Sequence, residues 1–508
     1  MATTTLAQQL RTARNVGTPL VTLVTPDQPA TAHLLGRAAW NHGDEPQAPV
    51  IQWDVARGCA ALNDLGRKAI DDWQKVANIK AADLFGFADL LLALHALPRE
   101  VIVVAHHANR QLTEPVVIQA LANLRDAFKS NGRMLILLGT DFRLPPELQT
   151  DVLQVREPLP TPDRLATIIR DTFGNAGLEP LGDGETLTHA VDALRGLSAF
   201  PAESSVALSL STKGLDLDAL WERKRSMIES TEGLGVWRGT ERFDSLGGLD
   251  TLKGFFRRLI GGRDPARGFV FLDEIEKAFA GASGDNTGVS QELLRSFLCA
   301  MEDTHATGII LIGPGGTGKS AIAKAVGGEA GVPVIPFDVG GMKGSHVGES
   351  EGRVKRALQV VESVTDGNAF YIATCNSITS LPPELRRRFT FGTWFVDLPG
   401  EAERAAILAI YQRWYNLGPQ AALPNFTGWT GAEIKQACHL AWKLDCSILE
   451  AAQYVVPIAI AAHDTIDRLR QEASGRFLSA NLPGVYAYAP IQAHTVEAPG
   501  GRQFRLNS

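Results

Sequence analysis

Two short segments carry residue types that could act together on a phosphoanhydride. Gly313-Pro314-Gly315-Gly316-Thr317-Gly318-Lys319-Ser320 follows the apolar run Ile309–Ile312 and precedes an apolar-periodic run, Ala321–Val326. That strand–loop–helix setting is the one in which G-x-x-x-x-G-K-[ST] holds phosphates. The glycines let backbone N–H groups turn inward, and the start of the following helix adds positive potential. Lys319 is expected to reach the β- and γ-phosphates, and the Ser320 hydroxyl to ligate Mg²⁺. The second segment, Phe269–Leu272, is an uninterrupted apolar run ending in Asp273 and Glu274. Such a run suits a central parallel strand buried on both faces. Asp273 is expected to hold Mg²⁺ through water, and Glu274 to orient and polarise the attacking water. The expected ligands are ATP and Mg²⁺.

A third buried strand, Phe370–Thr374, leads to Asn376, whose amide could hydrogen-bond the γ-phosphate or the water. Next comes Leu381-Pro382-Pro383-Glu384-Leu385-Arg386-Arg387-Arg388-Phe389. Further along, Gly431-Ala432-Glu433-Ile434 reads as a helix start.

These motifs resemble those of the AAA+ ATPases. Phe243-Asp244-Ser245-Leu246-Gly247-Gly248-Leu249 is similar to the lead-in of AAA modules, and Val347-Gly348-Glu349-Ser350-Glu351 to the segment after their second strand. The nearest likeness is to the bacterial and cyanobacterial AAA ATPases first named as a conserved chloroplast reading frame. The resemblance implies a P-loop α/β fold with a parallel sheet of order 5-1-4-3-2 and a small helical lid. It implies that Asn376 serves as the first sensor and that Ala432 approaches the nucleotide. It also implies that arginines of the cluster reach a neighbouring subunit's γ-phosphate in a ring, a hexamer being the expected size. Arg387 and Arg388 are favoured, although the sequence does not separate them from Arg386. The family spaces its two fingers with a Pro/Gly insert, and here they are contiguous. Threading motors carry an aromatic before Val-Gly-Glu-Ser, where this chain has His346, which weakens a threading reading.

The order of the motifs departs from the family, since the acidic strand precedes the phosphate loop. Exchanging Phe269–Gly308 with Ile309–Ala369 restores the family order with joins at strand starts. In an all-parallel sheet every strand start lies at one end. The chain must then enter two strands away, roughly 10 Å, and Gly261–Gly268 spans ~26 Å when extended. The other two joins each move by one strand and keep the direction of each crossover, so both can remain right-handed. The expectation is the same sheet and site reached by permuted connectivity.

At 508 residues the chain implies two to four domains. A net charge of −7 provides no global basic field, so nucleic acid is not indicated as a partner. The five cysteines lack metal-ligand spacing and read as reduced residues of a cytoplasmic protein, or of a plastid stroma by family analogy. No membrane association is expected; Val455–Ala462 is too short to span a bilayer and reads as lid core.

The N-terminal half is itself α/β. Leu20–Val24, Val50–Trp53, Val101–Ala105 and Met134–Leu138 alternate with helix-length segments. Leu135–Leu138, Asp141 and Leu144-Pro145-Pro146-Glu147-Leu148 echo Tyr371–Thr374, Asn376 and Leu381-Pro382-Pro383-Glu384-Leu385. This half reads as a degenerate copy of the module, with no glycine cradle after its first strand and His106-His107 where the acids stand. It is expected to bind no nucleotide. Adjacent strand residues point to opposite faces, which favours strand-end capping by the histidines over a shared metal.

The expected domains are a degenerate α/β domain (1–162), a lid-like region (163–232) closed by a helix over Asp216–Thr231, a linker (233–242), the ATPase large domain (243–400), its lid (401–480) and a tail (481–508) that suits either an unattached or a docked segment. The leading functional reading is an oligomeric ATPase that couples ATP turnover to remodelling a protein partner. An ATP-holding scaffold with little turnover and a nucleic-acid remodeller are the alternatives.

Overall fold

The computed structural model describes the whole chain except residues 1–4, 38–39, 43–44, 47, 213, 280–288, 304–305, 343–348, 378–380, 489–494, 498–502 and 506–508. Two compact units divide it, Met1–Leu220 and Trp221–Ser508.

In the second unit the odd and even residues of each buried strand serve opposite layers, as the two-residue period of a strand requires. Val270, Leu272, Ile310, Ile312, Tyr371 and Ala373 pack under the helices Val289–Asp303 and Glu349–Thr365. Phe269, Phe271, Ile309, Leu311, Phe370 and Ile372 pack under Asp250–Ile260 and Lys319–Ala330. A sheet covered on both faces explains why these strands are unbroken apolar runs.

Its strand order is Val334–Pro336, Gly268–Leu272, Ala369–Cys375, Thr307–Ile312, Thr393–Phe395, Leu478–Ser479. Every neighbouring pair is parallel. Numbered in the family's sequence order, the first five strands read 2-3-4-1-5, which is 5-1-4-3-2 from the other side. The acidic strand and the phosphate-loop strand flank the same central strand, with Leu272 opposite Ala373 and Ile312 opposite Cys375. The permuted connectivity reaches the expected sheet.

The N-terminal unit repeats that order without permutation. Val50–Asp54, Ile102–Ala105, Met134–Gly139, Leu20–Val24 and Leu153–Arg156 are parallel neighbours, and Gly58–Ala61 adds an antiparallel strand beside the first. The helix Pro115–Lys129 starts on a proline, whose missing N–H costs nothing at that position. Thr161 caps the next helix, Pro162–Asn175, and Glu185–Leu194 and Ala199–Ser209 follow.

The limits expected for the lid-like region, the linker and the second lid differ from what the structure shows. The helix Leu217–Glu229, expected to close the N-terminal lid, contributes Ile228 to the core of the second unit, and its Lys224 Nζ donates to Val364 O at 3.5 Å. The expected linker is held as well. Gly235 and Trp237 donate N–H bonds to Pro336 O and Val334 O, both at 2.9 Å, while Leu234 and Val236 are buried. Its glycines alternate with apolar residues, and that alternation sets it against the sheet.

The lid core gathers Ile407, Leu408, Trp429, Ile434, Ala437, Cys438, Ala441 and Ile448 between Glu401–Trp414 and Gly431–Leu444. Of Val455–Ala462 only Val455 joins that lid core. Pro457 precedes a single helical turn, Ile458–Ala461, that ends at Ala462, and Val456 is 73% and Ile460 74% exposed. The helix His463–Ala473 leaves the lid to bury Leu469 and Ala473 beneath the sheet, and Leu478–Ser479 joins it as a sixth strand.

The tail is docked over Asn481–Tyr488. Tyr486 packs tilted against Phe395 with centroids 4.5 Å apart and donates to Asp397 Oδ2 at 2.6 Å. Arg470 holds the other oxygen of Asp397 at 2.9 Å.

Candidate functional site

Both acids expected at the site follow directly on the end of a central strand, and the Ser320 hydroxyl lies in the first turn of the helix after the phosphate loop. The phosphate loop needs glycine for two separate reasons. At Gly313 a Cβ would lie 2.0 Å from Val396 O, so no side chain fits beside the neighbouring strand. At Gly316 φ is +78°, and a Cβ would meet Thr430 Oγ1 at 2.9 Å and Ala432 Cβ at 3.0 Å. The lid thus rests on the loop through the start of its second helix, where Ala432 N–H donates to Gly316 O at 3.2 Å. Thr430 caps that helix by accepting from Glu433 N–H at 3.3 Å, and Glu433 accepts in return from Thr430 N–H at 2.7 Å.

Lys319 opens the helix after the loop and is 7% exposed. Its Nζ donates to Gly313 O and Pro314 O, both at 2.7 Å. Burial pushes its pKa down to about 8, opposed in part by Glu276, Asp273 and Glu274. Thr317 turns inward and donates to Pro314 O at 2.9 Å.

Ser320 Oγ donates to Asp273 Oδ1 at 2.9 Å. A hydroxyl and a carboxylate at that separation form a donor pair suited to a hard cation and its waters. Glu274 follows in the left-handed region, φ 46°. Its carboxylate accepts from Asn376 Nδ2 at 3.1 Å and pairs with Lys277. The site therefore brings together Gly313–Ser320, Asp273, Glu274, Asn376 and Ala432.

Two further residues enter it that the motifs did not single out. Thr374 Oγ1 donates to Asp273 Oδ1 at 2.6 Å and accepts from Glu274 N–H at 2.9 Å. Buried Glu276 accepts from Asn376 N–H at 2.9 Å. A hydroxyl inside an otherwise apolar strand was the available signal for the first. Glu276 looked like any first-turn helix acid.

The three arginines separate. Arg388 pairs with Glu302 at 2.7 Å, the Nε of Arg386 is buried, and Arg387 is exposed with no ion-pair partner among the described residues. Lys343, His346, Val347 and Gly348 lie outside the described residues.

The corresponding place in the N-terminal unit is built differently. His107 follows the third strand in the same left-handed conformation, φ 51°. Gln28 is buried, accepts from His107 N–H at 2.8 Å and sets its Nε2 3.2 Å from His107 Nδ1. His106 turns instead to Gln52 Oε1, 3.2 Å away, and burial lowers its pKa. Asp27 Oδ2 accepts from Phe200 N–H at 3.3 Å, at the start of the helix Ala199–Ser209. Where the other unit has a glycine cradle, this one has side chains bonded to each other.

Residues 6–156 match the family described as "SpoVK-like AAA ATPase, N-terminal domain", and residues 309–366 match "ATPase family associated with various cellular activities (AAA)". The AAA domain-containing protein ycf46 of Guillardia theta is 24% identical over 488 residues, covering 84% of this chain and 87% of that protein. Its counterpart from Gracilaria tenuistipitata var. liui is 27% identical over 373 residues, covering 63% and 69%. The ATP-dependent zinc metalloprotease FtsH 3 of Synechocystis is 25% identical over 232 residues, covering 36% and 37%. The crystal structure of the FIGL-1 AAA domain aligns with 49% of this chain and 93% of its own, at 18% identity and a TM-score of 0.31. Among the described residues no single helix is long and apolar enough to cross a membrane.

Proposed function

We propose that this chain, a member of the AAA ATPases, binds ATP with Mg²⁺ at the loop Gly313–Ser320, hydrolyses it, and spends the energy on reshaping a bound protein. The observation that carries the reading is the convergence of Lys319, Ser320, Asp273, Glu274 and Asn376 on one strand-end face despite the permuted order.

The pocket suits the ligand chemically. A glycine cradle that side chains cannot fill opens backbone N–H groups to phosphate oxygens. Lys319, held by two carbonyls alone, exchanges them for the β- and γ-phosphates. Ser320 and Asp273 are the residues that would hold Mg²⁺, which when bound neutralises charge on the phosphate oxygens. Glu274 accepts a hydrogen bond from the attacking water once it turns from Lys277, and Asn376 orients that carboxylate. Ala432 reports to the lid whether the loop is filled. Arg387, exposed beside the site-bearing sheet, is the finger best placed to act in a neighbouring subunit, with Arg388 free to join it once it leaves Glu302. A ring, with a hexamer as its expected size, follows from a finger that works in trans.

Two substitutions test the reading. Lys319→Ala is expected to abolish nucleotide binding, whereas Glu274→Gln keeps binding and loses turnover, because positioning water lowers the barrier without adding ground-state affinity. Turnover at the parent rate in the Gln variant would remove the acidic strand from the site. Binding with no turnover in the parent chain would leave the scaffold reading in its place.

A further inference from the structure

We propose that Thr374 is a positioning residue for both acids of the site, setting the direction of the Asp273 carboxylate and the backbone turn of Glu274 through one hydroxyl. The proposal rests on reading this pocket as an ATPase site.

Thr374 is 1% exposed and lies in the central strand Ala369–Cys375, one residue beyond the Ala373 that faces Leu272. Its hydroxyl uses both of its capacities. The O–H donates to Asp273 Oδ1 at 2.6 Å, and the oxygen accepts from Glu274 N–H at 2.9 Å. Asp273 Oδ1 also accepts from Ser320 at 2.9 Å, so the two hydroxyls converge on one oxygen, leaving Oδ2 for a cation's water. Glu274 carries a Cβ in the left-handed region, a conformation that persists only where the surroundings over-determine it. Within this turn the Thr374 hydroxyl is the group that anchors the Glu274 N–H.

The second copy of the fold supplies an internal control. Its third and fourth strands pair in the matching register, Ala105 opposite Leu137 where the ATPase unit sets Leu272 opposite Ala373. His106 and His107 then stand at the places of Asp273 and Glu274, and fully buried Leu138 at the place of Thr374. The left-handed His107 takes its N–H anchor from Gln28 instead. The copy that lacks the acids also lacks the hydroxyl, so an apolar residue serves the strand itself at this position. What the hydroxyl adds belongs to the acids.

The test compares Thr374→Val, which keeps the shape and removes the hydroxyl, with Thr374→Ser, which restores it. Each is titrated with a fluorescent ATP analogue over a series of Mg²⁺ concentrations, and its ATP turnover is followed. In the Val variant the Mg²⁺ concentration that half-supports binding is expected to rise, and turnover to fall about 10–100-fold, the usual loss when an outer partner of a metal site goes. Analogue affinity without Mg²⁺ stays at the parent value, and Ser returns both readouts to near it. Parent-like Mg²⁺ dependence in the Val variant, or a Ser variant no better than Val, overturns the proposal. Should the parent bind the analogue without hydrolysing it, the ATPase reading fails, yet the Mg²⁺ titration still decides Thr374. A parent that binds no nucleotide overturns both.

Discussion

Capture of nucleotide by this pocket should depend on pH in a way set by one buried cation. Without phosphate, the Lys319 ammonium is shielded from water and hydrogen-bonded to the Gly313 and Pro314 carbonyls, and burial, opposed only in part by Glu276, Asp273 and Glu274, brings its pKa from 10.5 to about 8. A polyphosphate in the cradle restores a strong counter-charge and returns the pKa towards its ordinary range. Binding above that pKa therefore requires uptake of a proton. The protonated fraction of the free pocket is about 0.9 one pH unit below the pKa and about 0.1 one unit above it, so apparent affinity should weaken roughly tenfold between about pH 7 and about pH 9, a loss of about 1.4 kcal/mol. The same shift makes the empty fold gain stability as pH rises from about 8 towards the unfolded value, because the neutral amine is the form that burial favours. The assay is titration of the Glu274→Gln protein with a fluorescent ATP analogue at saturating Mg²⁺ across that range. Lys319→Arg is the control, since a guanidinium stays charged throughout; it should bind more weakly with little pH dependence. A flat affinity profile in the Lys protein, or an equal slope in the Arg variant, would refute the reasoning.

Mixing Lys319→Ala subunits with Arg387→Ala/Arg388→Ala subunits should restore part of the ATPase activity that each lacks, because one kind of interface then carries an intact pocket and intact fingers; sedimentation showing a fully active monomer would exclude a finger in trans. Moving Ile309–Ala369 ahead of Phe269–Gly308 should leave nucleotide affinity nearly unchanged and shift stability by about 1–3 kcal/mol, with the restored order the more stable, as measured by denaturant unfolding. A chain beginning at Phe243 loses the burial of Ile228, Leu234 and Val236, at about 1.5–3 kcal/mol per side chain, and should unfold at lower denaturant than a chain beginning at Asp216.

The sheet of the ATPase unit was legible because its strands are buried on both faces and so read as unbroken apolar runs, and because parallel strands all start at one end. Those two facts made the permuted order a question of loop reach, and the pairing of Gly268–Leu272 and Thr307–Ile312 with Ala369–Cys375 answers it. The motif residues of the site were legible for a similar reason: glycine, lysine and acids at strand ends have few other uses together. Thr374 was hidden because a β-branched residue is ordinary in a strand, and the partners that give its hydroxyl a task are 100 and 101 residues away in the chain. The expected linker (233–242) misled through its glycines, whose apolar neighbours Leu234 and Val236 decide its place. Composition was only partly right at Val455–Ala462, where Val455 enters the lid core while Val456 and Ile460 stay exposed. The arginines could not be ranked from adjacent positions, since Glu302 of a different helix is what engages Arg388.

The segments flanking the ATPase sheet decide what its two edges can do. An open sheet offers a row of unpaired N–H and C=O groups at each edge, ready to template a strand from another chain. Here one edge is sealed by residues preceding the module, where Leu234 bridges Phe337 antiparallel. The other is sealed from the far end of the chain, where Leu478–Ser479 is followed by a return that bridges Leu478 to Val485. Among the described residues, both outer strands of this sheet are therefore engaged by a segment of the same chain. Loosening either seal should expose an unpaired strand and favour aggregation.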